Sequence, residues 1–121
     1  MQVKILKAKI HRAEITDCDI EYEGSLGVDA EFMEKVGALP YEHVIVGNIT
    51  NGKRFETYLI PEPAGSKAIV LKGAVAHLGK VGDLLVAMVF ANFTPEEAKN
   101  FQPKTIVLGE FNRKIINDNN T

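Results

Sequence analysis

Short β-like runs follow one another along this chain, and the connections between them are too brief for regular strand–helix–strand crossovers. That spacing argues against a layered α/β sheet and for a small closed barrel. The firmest local marker is Asn51-Gly52, set between HVIVGNI (43–49) and KRFETYLI (53–60). A type I′ hairpin turn needs positive φ at both central positions, and Asn-Gly supplies it. Upstream, VKILKAKI alternates as a strand whose phase blurs at Leu6, with Lys9 and His11 on one side and Ile10 on the other. AEITDCDIEYEG reads as strand, turn, strand, and the second arm alternates as far as Tyr22. Gly24-Ser25 then interrupts it before LGVD resumes. KAIVL, LLVAMVFANF (84–93) and TIVLGEF complete the strands. The second of these is the most apolar and is expected to be central; the third is expected to be the last.

Helical turns are few. Asp29 is a good N-cap for AEFMEKVG, where Phe32, Met33 and Val36 share a side and Gly37 can take the left-handed C-cap position. Thr94, Pro95 and Glu97 form a capping box with a proline starter. GAVAHLG allows a short apolar turn at most, and Gly79 and Gly82 bracket a tight turn before Asp83. The expected organisation is one domain over 1–116, mainly β, with six to eight strands and a disordered tail at 117–121 that has nothing to bury.

At 121 residues the chain can build a core without metal or disulfide staples, and its single cysteine, Cys18, rules out an internal disulfide. A net charge of −2 supplies no basic field for a phosphate backbone, so nucleic acid is not an expected partner. No apolar run approaches bilayer length, and the charged N-terminus reads as a first strand rather than a signal peptide, so the expected location is cytoplasmic and no membrane partner is expected.

Chemistry-bearing residues are scattered. His11, His43 and His77 lack ligand spacing and no cysteine pair exists, so no metal site is expected. Gly79-Lys80-Val81-Gly82 lacks the spacing of a phosphate loop, and no nucleophile elbow surrounds Ser25. Arg54 and Tyr58 fall on one face of a strand, a carboxylate fork beside a weak acid. A solvated arginine and a half-buried tyrosine would look the same. Thr57 faces the other way unless a bulge intervenes. Lys9 and His11 form a second same-face pair, which an exposed edge would also explain. The run Gly-Ala-Val-Ala-His at 73–77, small for a helical turn, allows either close packing or close approach of a ligand to the backbone.

Several separated motifs nevertheless stand in one order. They are KIHRA (9–13), YEGS (22–25), Asp29 with its helix, NGKRFETY (51–58), GAVAH (73–77), VGD (81–83) and FTPEEA (93–98). From about Lys9 to Phe111 the chain closely resembles the pyruvoyl-dependent aspartate 1-decarboxylases. The resemblance implies a six-stranded double-psi β-barrel with short flanking helices. It also implies a homotetramer with active sites between neighbouring subunits, and conversion of L-aspartate to β-alanine and carbon dioxide for pantothenate synthesis.

By the same resemblance the chain cleaves itself between Gly24 and Ser25, and Ser25 becomes a pyruvoyl group that forms a Schiff base with the substrate. Tyr58 would return a proton to the carbanion. Arg54 and Lys9 would meet substrate carboxylates, Thr57 would steady the oxyanion during cleavage, and Gly73, Ala74 and Val75 would line the pocket. His11 and Tyr22 would support the cleavage site, and His77 would be structural. Two positions depart from the family, which usually has asparagine at Lys72 and alanine at Val75. Lys72 replaces a neutral donor-acceptor with a cation, and Val75 adds two methyl groups. These departures leave two other readings open: a barrel that does not process itself and is inert or regulatory, or a decarboxylase for another small amino diacid such as L-glutamate.

Overall fold

The computed structural model describes residues 1–119. The elements in order are β1 (Val3–Glu14), β2 (Asp17–Asp19), β3 (Ser25–Asp29), α1 (Ala30–Val36), β4 (His43–Asn48), β5 (Arg54–Glu62), β6 (Ile69–Lys72), a 3-10 turn (Gly73–Leu78), β7 (Leu84–Phe93), α2 (Pro95–Asn100), β8 (Lys104–Gly109) and β9 (Lys114–Asp118). They form one sheet ordered β2-β6-β3-β5-β4-β7-β1-β8-β9. The chain is mainly β, as the sequence indicates, and the curled sheet is consistent with a small double-psi barrel. It has nine strands among the described residues rather than six, some of them very short. Curling brings distant strands together: Thr16, leaving β1, donates its backbone N–H to Ile69 O of β6 at 2.8 Å. β7 is central, paired with β1 on one side and β4 on the other.

Three pairs are parallel, β1 with β8, β2 with β6 and β3 with β5. Simple alternation does not reveal them, because their partners are far apart in sequence and the chain passes through other strands on the way. Leu26, Val28, Phe32, Val44, Val46, Leu59, Leu71, Leu85 and Ile106 are among the residues that fill the interior.

Local chemistry sets the helix ends as expected. Asp29 accepts from Glu31 N, Gly37 closes α1 at φ 72°, and both halves of the Thr94–Glu97 capping box are present.

Four expectations need correction. The 48–53 hairpin is not a two-residue type I′ turn, since only Gly52 has positive φ there. The Asn48 side chain organises a longer loop by accepting from Thr50 N and Asn51 N. The strand does not run on to Tyr22: residues 20–24 form a turn and bend, exposed as far as Glu23, because Ile20 and Tyr22 have no strand partner to pack against. TIVLGEF is not the last strand. Finally, the tail does not fray from 117, because β9 pairs with β8 and Asn119 exchanges hydrogen bonds with Thr105. Residues 120 and 121 lie outside the described residues.

The Asp29 carboxylate is fully buried and accepts from three backbone amides, Glu31 N at 2.8 Å, Gly65 N at 3.1 Å and Lys67 N at 2.8 Å. Replacing Asp29→Ala leaves these donors unmet and is expected to cost roughly 3 kcal/mol, read as a lower urea midpoint at unchanged slope.

Candidate active site

β3 begins at Ser25, which is fully buried, and among the described residues its Oγ has no hydrogen-bond partner. Burying a hydroxyl without a partner is costly, so such an atom calls for an explanation. Gly24 just before it has φ +125°, a conformation that side chains disfavour. Gly73 presses on the same junction at φ +77°: a Cβ there would lie 2.6 Å from both Gly24 Cα and Gly24 N, and 2.8 Å from Tyr22 O. Two glycines are therefore required for the 22–25 segment to lie flat against the 3-10 turn.

Pairing brings other residues to this junction. Ser25 opposes Lys72 across β3 and β6. Lys72 Nζ meets Glu62 Oε2 at 2.7 Å and sits 4.5 Å from the centroid of the Tyr22 ring. Leu26 pairs with Leu59 in the parallel β3–β5 ladder, which puts Ser25 one step from Tyr58. The Tyr58 ring lies 6.3 Å from that of Tyr41.

Arg54, Lys9 and His11 share a sheet face with Tyr58, but at a distance. His11, Val86, Gly47 and Arg54 form one cross-strand row, and Lys9, Met88, Ile45 and Glu56 form the next. Row partners point to the same face. Arg54 is about 13 Å from Tyr58 along β5, and roughly 14 Å separates β1 from β5 across the sheet. Thr57 is not on that face, because the β4–β5 ladder has no bulge from Arg54 to Tyr58 and Thr57 alternates with Phe55 and Leu59. In the 3-10 turn Ala74 is exposed, while Val75 is buried in the core, so its extra methyl groups point inward. His77 is exposed.

β1 shifts register between His11 and Ala13, where Arg12 has φ 62°. Burial, then the charges of Lys9 and Arg12, push the His11 pKa below the ordinary histidine value. Among the described residues no cluster of histidine, cysteine and carboxylate could hold a metal, and no helix is long and apolar enough to cross a membrane. Sequence reasoning passed over Glu62 and Gly27. Glu62 stands between two prolines that read as a strand end, and nothing in its spacing marks it.

A small curled β-sheet with a Gly-Ser junction that only glycine can shape, its serine buried and unpartnered, is the class that this geometry defines. The family model for aspartate decarboxylase matches residues 1–115, and the chain belongs to that family. The aspartate 1-decarboxylase of Thermosipho africanus is 48% identical over 95% of this chain and 94% of its own length. That of Alcanivorax borkumensis is 46% identical over 93% and 89%, and that of Maricaulis maris is 41% identical over 95% of each.

A methyl group at Gly73→Ala must displace Gly24. It is expected to destabilise the chain by about 2 kcal/mol and to shift the Gly24 and Ser25 amide resonances, whereas open space at Gly82 lets Gly82→Ala leave them unmoved. The His11 imidazole is expected to titrate below the ordinary value of 6.5. The unfolded chain then takes up this proton more readily. The His11 contribution to stability is therefore intact above about pH 6.5 and fades as pH falls through that value toward the folded pKa. An NMR titration of its ring protons checks the direction.

Proposed function

We propose that the chain decarboxylates L-aspartate to β-alanine and carbon dioxide after cutting itself between Gly24 and Ser25. The observation that carries this reading is the buried Ser25 Oγ, unpartnered and directly behind a positive-φ glycine. A hydroxyl so placed is free to add to the Gly24 carbonyl, and glycine offers no Cβ to obstruct it. The C–N bond gives way to a C–O bond, and the hydroxyl proton ends on the Ser25 nitrogen. Loss of the Ser25 α-proton with cleavage of Cβ–Oγ then releases the Gly24 carboxyl group and leaves dehydroalanine. Water replaces its nitrogen as ammonia, which leaves a pyruvoyl group at the new N-terminus. No oxidant or reductant is consumed. The buried, unpartnered Ser25 side chain fits that conversion, and the pyruvoyl carbonyl supplies an electron sink for the bond to the departing α-carboxylate.

The remaining roles belong to side chains of this chain. Thr57 is the hydroxyl assigned to steady the oxyanion at the Gly24 carbonyl during cleavage. Tyr58, one step from Ser25 across the ladder, is positioned to deliver a proton to the substrate α-carbon. Arg54 and Lys9 are the cations for substrate carboxylates. Gly73 and Ala74 offer backbone donors, and His11 and Tyr22 flank the site.

The wide separation of Arg54, Lys9 and Tyr58 within one chain supports a site completed by a neighbouring copy in a homotetramer. So does the half-exposed apolar strip of Ile45, Val86, Met88 and Phe90 between them. The same reading has the enzyme working in the cytoplasm, within pantothenate synthesis.

Denaturing intact mass of the purified chain is expected to give fragments 1–24 and 25–121, the larger blocked by pyruvoyl, and Ser25→Ala is expected to stay whole. Tyr58→Phe is expected to cleave yet lose about 10²–10³ in kcat for aspartate. A wild-type chain that remains whole after warming sinks the reading, and faster turnover of L-glutamate than of L-aspartate replaces its substrate.

A further inference from the structure

We propose that Glu62 is a positioning residue for scission of the Gly24–Ser25 bond, acting through Lys72 on Tyr22. This rests on the self-cleavage reading above. Opposed residues in an antiparallel ladder point to one face, so Ser25 and Lys72 share a face and Gly27, two residues on, shares it too. The Glu62 carboxylate lies over Gly27, in the space that a Cβ would occupy. From there it holds the Lys72 ammonium at 2.7 Å. The two side chains are only 16% and 14% exposed, so solvent screens this pair less than a surface pair.

The same ammonium lies 4.5 Å from the Tyr22 ring centroid. Tyr22 belongs to the 20–24 bend, which has no strand ladder to fix it. Its carbonyl, like Gly24, packs on Gly73. A relay of carboxylate, ammonium and aromatic ring therefore runs beside the junction and fastens the bend that leads into Ser25. Intramolecular attack depends on holding hydroxyl and carbonyl in register, so fastening this bend sets the rate. Without Glu62, a shielded ammonium has lost its counter-charge and turns toward water, releasing Tyr22. Gly27, Glu62 and Lys72 thus act as one unit: the glycine leaves the space, the carboxylate fills it, and the lysine receives the charge.

The test follows the appearance of fragments 1–24 and 25–121 with time by denaturing mass spectrometry of freshly purified full chain. Glu62→Gln keeps the shape and removes the charge. It is expected to slow cleavage about tenfold, and Lys72→Gln to slow it equally. The double variant is expected to be no slower than either single one, since both break one relay. Gly27→Ala is expected to slow the wild type by displacing the carboxylate, and to add nothing to Glu62→Gln. The Tyr22 ring-proton resonances are expected to move in both charge variants. If Glu62→Gln does not fold, Lys72→Gln crossed with Tyr22→Leu carries the same non-additivity. Wild-type rates in Glu62→Gln and Lys72→Gln, or losses that simply add, overturn the proposal while leaving self-cleavage standing. A wild-type chain that never cleaves overturns both.

Discussion

The buried carboxylate of Asp29 is the constraint on which the rest of this molecule leans. It ends β3, starts α1, and gathers the amides of Gly65 and Lys67 from the loop that leads into β6. One side chain thereby fixes the relative placement of three segments, and it does so where water cannot substitute for it. β3 is only five residues long, so fixing its last residue also fixes its first. That first residue is Ser25. The exit of β3 and the Gly24-Ser25 junction at its entry therefore belong to one short strand.

At the entry the constraint is steric rather than polar. Gly73 lies so close to Gly24 that a Cβ at 73 has no room, and Gly24 itself takes a φ of +125° that side chains disfavour. The 3-10 turn sits against the Gly24 backbone, Lys72 pairs with Ser25, and Glu62 reaches over Gly27 to Lys72. Close backbone contact from Gly73, the Glu62–Lys72 charge pair and, among the described residues, a buried hydroxyl without a partner thus meet at one junction.

The legibility of these features follows their range along the chain. The helix caps at Asp29 and Thr94 were visible because a cap is satisfied within three residues of itself. The hairpin was visible, but its turn geometry was not. Asn51-Gly52 suggested a two-residue turn, whereas Asn48 sets a longer loop through bonds to Thr50 and Asn51 while also donating to Asp83. The alternation through Tyr22 was misleading, because period two shows that a segment can be a strand, not that a neighbour exists for it to pair with. The tail is similar: its polar residues have nothing to bury, yet backbone pairing to β8 orders it through Asp118.

The sequence by itself determined the mainly β character, the caps, the central place of LLVAMVFANF and, through its ordered motifs, the family and the Gly24-Ser25 junction. These rest on short-range stereochemistry and on residue identity. Only the tertiary structure decided that Arg54, Lys9 and His11 lie on the face of Tyr58 but far from it, and that Thr57 lies on the other side. Only there do Glu62, Gly27 and Lys72 come together beside Ser25. The physical reason is strand order: β3 is flanked by β5 and β6, which lie roughly 30 to 45 residues further along the chain. No local pattern encodes which distant strand will supply its hydrogen bonds.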